Sequence, residues 1–272
     1  MSDFYAHVYL SPHLDDAALS CGGLMHRQVK AGSPPLVITL FSGQPPADAE
    51  LSAFARWQHE RWGHPQDVMP VRWAEDQAAL AVLGADYLRL NYRDCIYRGR
   101  EHGPEPLWYY ASEEALFGPV HPAEQGLPGE LAITMSEFIP GPQGVTLYAP
   151  LAAGNHVDHQ LTCAAALILR AQGWRVCFYE DYPYVEAEGI LAAALIARGA
   201  EGWQPVVTPL DENDLAAKVE AIACYASQLG VLFGGAEAMR ERVRGYAIQV
   251  GGERLWNPDA REGLLRAPRL AF

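Results

Sequence analysis

Short apolar runs alternate with amphipathic stretches along the first ninety residues. Phe4 to Leu10 is a β-prone run closed by Ser11-Pro12. Ala17 to Lys30 carries Leu19, Leu24 and Val29 among small residues, and Gly32-Ser33-Pro34-Pro35 ends that helix before a second apolar run, Leu36 to Phe41. The order strand, helix, strand predicts a βαβ unit, in which the loop after each parallel strand lies on the same, C-terminal edge of the sheet. Helices over Leu51 to Arg61 and Val71 to Leu83 follow, the second closed by Gly84, and then a strand at Asp86 to Leu90. The fold class is α/β.

Between Tyr92 and Gly144 the texture changes to Pro, Gly and aromatic residues, with one helix near Leu131 to Phe138. This is an elaborated loop region over a site, not a linker. Val145 to Ala149 is a further strand and His159 to Arg170 a further helix. Arg175 to Tyr179 and Pro205 to Thr208 supply two more strands, and Asp214 to Ser227 reads as an amphipathic helix behind Asp211-Glu212-Asn213. The tail after Gly252 has no regular pattern. No internal repeat or low-complexity segment is present.

Composition narrows the partners. Of 272 residues, 50% are hydrophobic and 19% charged, enough apolar material for a large core, and one domain over 1–272 with insertions is the expectation. The formal net charge of −13 repels a phosphate backbone, which argues against nucleic acid or an anionic membrane surface and for a small polar ligand. With no signal-peptide pattern after Met1-Ser2-Asp3 and no apolar run of spanning length, a cytoplasmic protein is expected. The five cysteines (Cys21, Cys95, Cys163, Cys177, Cys224) form no close pair and read as reduced core thiols.

Two clusters carry chemistry. Ser11-Pro12-His13-Leu14-Asp15-Asp16 falls between the first strand and the first helix, where His13 and Asp16 can ligate a metal and Asp15 can act as a base on the water that the metal holds. The plain alternative is that Asp15 or Asp16 caps the helix. Asn155-His156-Val157-Asp158-His159 follows the strand and loop ending at Gly154, so it occupies the same edge. Its two histidines project to one face if the turn is helical, and Asp158 can hold either imidazole in one tautomer. Together, His13, Asp16 and His159 give two imidazoles and a carboxylate with an open fourth position, the layout of a catalytic zinc rather than a structural one. Zinc, or another divalent transition metal, is the implied cofactor. His7, His26, His59, His64, His102 and His121 lack comparable partners and read as surface or packing residues.

Pro12-His13-Leu14-Asp15-Asp16 resembles the first signature of the LmbE-like, or PIG-L-type, zinc N-deacetylases, and His156-Val157-Asp158-His159 resembles their second, in the same order and separation. Fainter echoes are Arg72-x-x-Glu75, Asp94, and Lys218 to Gln228. The resemblance implies a Rossmann-like three-layer fold, with a mostly parallel sheet, helices on both faces and the metal site at the C-terminal edge of the strands. It makes His13, Asp16 and His159 the metal ligands and Asp15 the general base. His156 becomes the group that stabilises the tetrahedral oxyanion, with Asp158 as its orienting partner. Arg72 and Asp94 fall near positions that hold sugar hydroxyls, although Arg72 could equally pair with Glu75 and Asp94 could be a turn residue. Leu14 and Val157 stand where the family has prolines, Ala17 where it often has Glu, and Gly154 where some members have a tyrosine. Trp108, Tyr109 and Tyr110 are candidates to line a sugar pocket.

The implied activity is removal of an N-acetyl group from an N-acetylglucosamine-type amino sugar or its glycoside. Two alternatives stay open: an amidase acting on a larger acyl group, and a non-catalytic sugar-binding α/β protein. The implied partner is a small amino-sugar substrate, with homo-oligomerisation left open.

Overall fold

The computed structural model describes residues 4–63, 68–100, 107–200 and 202–258. In chain order its elements are β1 (His7–Ser11), α1 (Asp16–Lys30), β2 (Leu36–Thr39), α2 (Ala53–Arg61), α3 (Val68–Leu83), β3 (Asp86–Arg89), the short strands β4 (Gly99–Arg100) and β5 (Leu107–Trp108), α4 (Glu113–Leu116) and α5 (Leu127–Phe138). They continue with β6 (Thr146–Pro150), α6 (Val157–Ala171), β7 (Arg175–Tyr179), α7 (Ile190–Ala197), β8 (Gln204–Thr208), α8 (Glu212–Ala223), α9 (Ala226–Phe233), α10 (Ala236–Val250) and β9 (Glu253–Asn257). Seven strands form one sheet in the order β3-β2-β1-β6-β7-β9-β8, parallel from β3 to β7 and antiparallel at β9 and β8. The α/β expectation holds, and the strand order reverses between β1 and β6, the crevice where such sheets bind ligands.

The period of two along each strand divides the core into two layers. Val8 and Leu10 of β1 and Leu36 and Ile38 of β2 pack with Leu131 and Met135 of α5 and Leu161 and Leu169 of α6. Tyr9 and Val37 point to the opposite face, against Ala17, Leu24 and Met25 of α1, Leu80 and Leu83 of α3 and Ala221 of α8. A third cluster, including Leu14, Trp62, Met69, Ile96, Tyr110 and Val157, sits at the rim where both motif loops emerge. Removing one fully buried leucine from such layers costs about 2–5 kcal/mol.

Helix α1 is broken at Cys21 (φ −131°, ψ 15°). Gly23 and Leu24 therefore donate their N–H groups to the Glu253 carboxylate, at 3.0 and 2.7 Å. Lys218 of α8 neutralises that carboxylate at 2.7 Å and also reaches the Ser20 carbonyl at 3.3 Å. Gly23 is needed for this approach, because a Cβ there would meet Leu210 at 2.4 Å and Glu253 at 3.2 Å.

Two expectations need correction. The tail after Gly252 is not irregular: Glu253–Asn257 is a strand inserted between β7 and β8. The helix read over Asp214 to Ser227 is two helices, α8 and α9, meeting at a 101° bend. Tyr225 sits at the break, buried, with its hydroxyl donating to Asp76 at 3.2 Å. No single described helix is long and apolar enough to cross a membrane. All five cysteines are free thiols.

Candidate metal centre and active-site pocket

The loop after β1 and the start of α6 meet at one point. His13 leaves the end of β1, and Asp16 opens α1 with a carboxylate that turns back on the loop. Its Oδ2 accepts the His13 backbone N–H at 2.8 Å and lies 3.1 Å from His13 Nδ1 and 3.3 Å from His159 Nε2. Ser11 supports the turn by donating its hydroxyl to the His13 carbonyl (2.7 Å) while accepting the Ala17 N–H (3.1 Å). Asp15 occupies the N-cap position at φ 152°, a backbone region that non-glycine residues seldom adopt, and its side chain caps nothing. The capping alternative therefore fails for Asp15: its carboxylate turns to Arg72, 3.3 Å from Nη2.

Each of the two imidazoles beside Asp16 is backed by a second carboxylate. His13 Nε2 is 2.9 Å from Asp158 Oδ2, and His159 Nδ1 is 2.7 Å from Asp181 Oδ1. Asp181 also accepts the Ala153 N–H at 2.8 Å. The sequence reading assigned Asp158 to His156, but the carboxylate meets His13 instead. His156, the N-cap of α6, receives only the Asp158 backbone N–H on its Nδ1, at 3.3 Å. The ligand atoms of His13, His156 and His159 lie within 4.8 Å of one another.

Charge is concentrated here under deep burial. Burial opposes ionisation of Asp16, yet His159 and His13 outweigh it and hold the carboxyl well below the usual range. Burial likewise opposes protonation of His159, but Asp16 and Asp181 lift its pKa to about 9. Burial and the charge of Asp16 push Asp15 up to about 7, against the pull of Arg72. His156 is driven well below the ordinary histidine value by burial and by the neighbouring His13 and His159, which keeps it neutral.

The donor set fits a divalent cation. His159 Nε2 is buried with no hydrogen-bond partner, and His13 and Asp16 present a nitrogen and an oxygen beside it. A cation would replace the protons that these imidazoles hold. Cys95, His156 and Asp158 also lie within 4.8 Å, but Asp158 is already committed to His13, to the Cys95 N–H at 3.0 Å and to Arg98 at 2.7 Å. Burial and the Asp158 charge push the Cys95 thiol up, so it stays protonated.

A pocket of about 250 Å³ opens over these groups. Its wall includes His13, Asp15, Asp16, Arg72, Asp94 and His156. Further wall comes from Trp62 and Arg61 at the end of α2, Phe117 after α4, Tyr184, and Gln228 of α9. Arg72 is buried rather than a surface cation, with its guanidinium over the Trp62 ring (5.1 Å), while Glu75 instead accepts from Ser227. Asp94 is both a turn residue, capping the 3-10 turn Cys95–Tyr97, and part of the pocket, 3.8 Å from His13 Nε2.

These two motif loops coincide with a known family. The profile described as "PIG-L: GlcNAc-PI de-N-acetylase" matches residues 8–170. The chain belongs to this PIG-L family. It is 28% identical to the 2'-N-acetylparomamine deacetylase of Niallia circulans, over 93% of this chain and 91% of that one. It is also 28% identical to the Streptomyces fradiae protein of the same description, over 92% and 80%. Among solved structures it resembles a zinc-inhibited form of teicoplanin deacetylase (27% identity, TM-score 0.72, 92% of this chain and 96% of that one). The deacetylase of the A40926 pseudoaglycone is similar as well (26%, TM-score 0.68, 94% and 97%).

Several residues of this PIG-L site had no sequence signal. Asp181 follows β7 and reaches His159 only because β7 lies beside β6. Tyr184 stacks edge-on against His159 (5.8 Å) and fills the space above Gly154, where a Cβ would lie 2.8 Å from the tyrosine ring. Trp108, Tyr109 and Tyr110 line no part of the site pocket: Trp108 faces a separate cavity, Tyr109 stacks on His121, and Tyr110 is buried against Glu124. Of the other histidines, His7 meets the Tyr148 hydroxyl, His26 meets Asp214, and His59 backs Trp62 while bonded to Tyr97. His64 and His102 lie outside the described residues.

Proposed function

We propose that this PIG-L family member is a cytoplasmic, zinc-dependent hydrolase that removes the N-acetyl group from an N-acetylglucosamine-type amino sugar or its glycoside, with residues 1–272 acting as one domain. The observation that carries the reading is the convergence of both motif loops on Asp16, with the orphaned His159 Nε2 beside it and Asp15 at the edge of a pocket. The relatives' deacetylase descriptions support the reaction class. Their amino-sugar substrates support the substrate class. The free thiols suit a reducing compartment.

His13, Asp16 and His159 would hold the cation. When bound there, a divalent ion supplies Lewis acidity to the amide carbonyl and lowers the pKa of water towards neutrality. The chain's own groups do the rest. Asp15, with a pKa near 7 and pinned by Arg72, takes the proton of the attacking water. Neutral His156, whose Nδ1 is occupied by a backbone N–H, carries its proton on Nε2 and can donate it to the developing oxyanion. Arg72 and Asp94, both on the pocket wall, would position sugar hydroxyls.

The test is acetate release from a panel of N-acetylglucosaminides, including N-acetylated aminoglycosides, before and after chelation and zinc restoration. Chelator-sensitive release supports the reading. Release only of longer acids from N-acyl analogues would move the assignment to an amidase for larger acyl groups. Sugar binding without any hydrolysis, at full metal loading, would leave a binding protein.

A further inference from the structure

We propose that Arg98 is a positioning residue for the metal centre, acting through Asp158 on His13, and that through this arginine the irregular segment between β3 and α5 takes part in catalysis. The inference rests on the reading above in taking His13 as a metal ligand.

Arg98 follows the 3-10 turn Cys95–Tyr97, and its side chain is largely buried, 12% exposed. A buried guanidinium is unfavourable unless it is paired and hydrogen-bonded. Arg98 meets that demand twice over. Its Nε and Nη2 donate to the two oxygens of Glu124 at 2.6 and 3.1 Å, and Nη1 donates to the Arg93 carbonyl at 2.9 Å. Glu124 is steadied in turn by the Tyr110 hydroxyl at 2.7 Å. The Phe41 and Tyr110 rings lie 4.8 and 5.5 Å from the guanidinium carbon.

A fork on Glu124 would be enough to tie down the loop. Arg98 goes further, because Nη2 also lies 2.7 Å from Asp158 Oδ1. With Oδ1 facing Arg98, Asp158 turns Oδ2 to two donors, the Cys95 N–H at 3.0 Å and His13 Nε2–H at 2.9 Å. The proton of His13 is thereby placed on Nε2, and the lone pair of Nδ1 is turned to the side where Asp16 lies. Arg98 is not among the described residues of the pocket wall, and its polar link to the site runs through Asp158 to His13.

The experiment compares full-length wild type with Arg98→Ala, Arg98→Lys and, as a bulk-preserving control should alanine not fold, Arg98→Met. Zn2+ and Co2+ affinities of the metal-stripped proteins are measured by competition with a chromophoric chelator. In parallel, kcat and KM are measured for acetate release, with and without added methylguanidinium. Loss of the arginine should weaken metal affinity by about 10- to 100-fold and lower kcat by a similar factor. KM should stay within about twofold, since no pocket contact is removed. Lysine, a point charge without the fork, should fall between alanine and wild type, and methylguanidinium should restore part of the alanine loss. Wild-type metal affinity in a folded Arg98→Ala or Arg98→Met protein, or a loss confined to KM, would overturn the proposal. If wild type releases no acetate while the affinity drop is as stated, the deacetylase reading falls and the role of Arg98 stands.

Discussion

The two imidazoles beside Asp16 are held in the same way by partners of opposite character. His159 leans on Asp181, which follows β7 and also accepts the Ala153 N–H in the loop after β6. No arginine or lysine pairs with Asp181 among the described residues, and burial pushes its carboxyl up against the pull of His159. His13 leans on Asp158, where Arg98 from the loop region keeps the carboxyl strongly acidic. One hold is made from the loops that leave β6 and β7, with the imidazole itself supplying the balancing charge. The other comes from the loop region between β3 and α5 and brings its own cation. A half balanced by its own imidazole and a half balanced by an arginine thus meet at Asp16.

The comparison can be sharpened first at Asp15, which stands between the halves and belongs to neither hold. Asp15→Asn should lower kcat by about 10²- to 10⁴-fold while metal content by elemental analysis stays at the wild-type level. Loss of metal along with activity would show that Asp15 holds the cation. Next comes the direct contrast. Asp158→Asn leaves the Arg98 guanidinium short of one buried partner and should cost about 3 kcal/mol in chemical denaturation. Asp181→Asn leaves no arginine or lysine short of a partner, and His159 keeps Asp16 beside it, so about 1–2 kcal/mol is expected. Both should weaken zinc binding by about 10- to 100-fold. Equal stability losses would erase the distinction drawn between the two holds. The smallest effect is expected at Gly154, where φ is +84° and a new methyl meets Tyr184. Gly154→Ala should cost about 1–2 kcal/mol and disturb the His159 side only, leaving the Arg98 dependence of metal binding unchanged.

How much of this was legible in the sequence depends on how local each feature is. The β1–α1–β2 unit was readable because strand, breaker and helix signals lie within forty residues, and both motif loops followed from their place after apolar strands. Asp181 and Arg98 were not. Neither sits in a periodic pattern, and each gains its partner by tertiary contact with the second motif. Strand β9 was missed because Glu253 and Arg254 look unlike a strand interior, yet Lys218 and Glu180 balance them. The break between α8 and α9 has no Gly or Pro to mark it, since it is tertiary burial of Tyr225 that fixes it. Trp108, Tyr109 and Tyr110 misled for the opposite reason: aromatics in a Pro-rich loop serve packing as readily as binding.

The break in α1 ties the order of synthesis to the order of assembly. The helix that carries Asp16 is closed at its broken turn by Lys218 and by Glu253, on the strand β9. A ribosome that has released both motifs, and even all the parallel strands, has not yet delivered that closure. The helix that opens at the first motif thus waits for contacts from Lys218 and Glu253, and the growing chain carries His13, Asp16 and His159 well before those residues arrive.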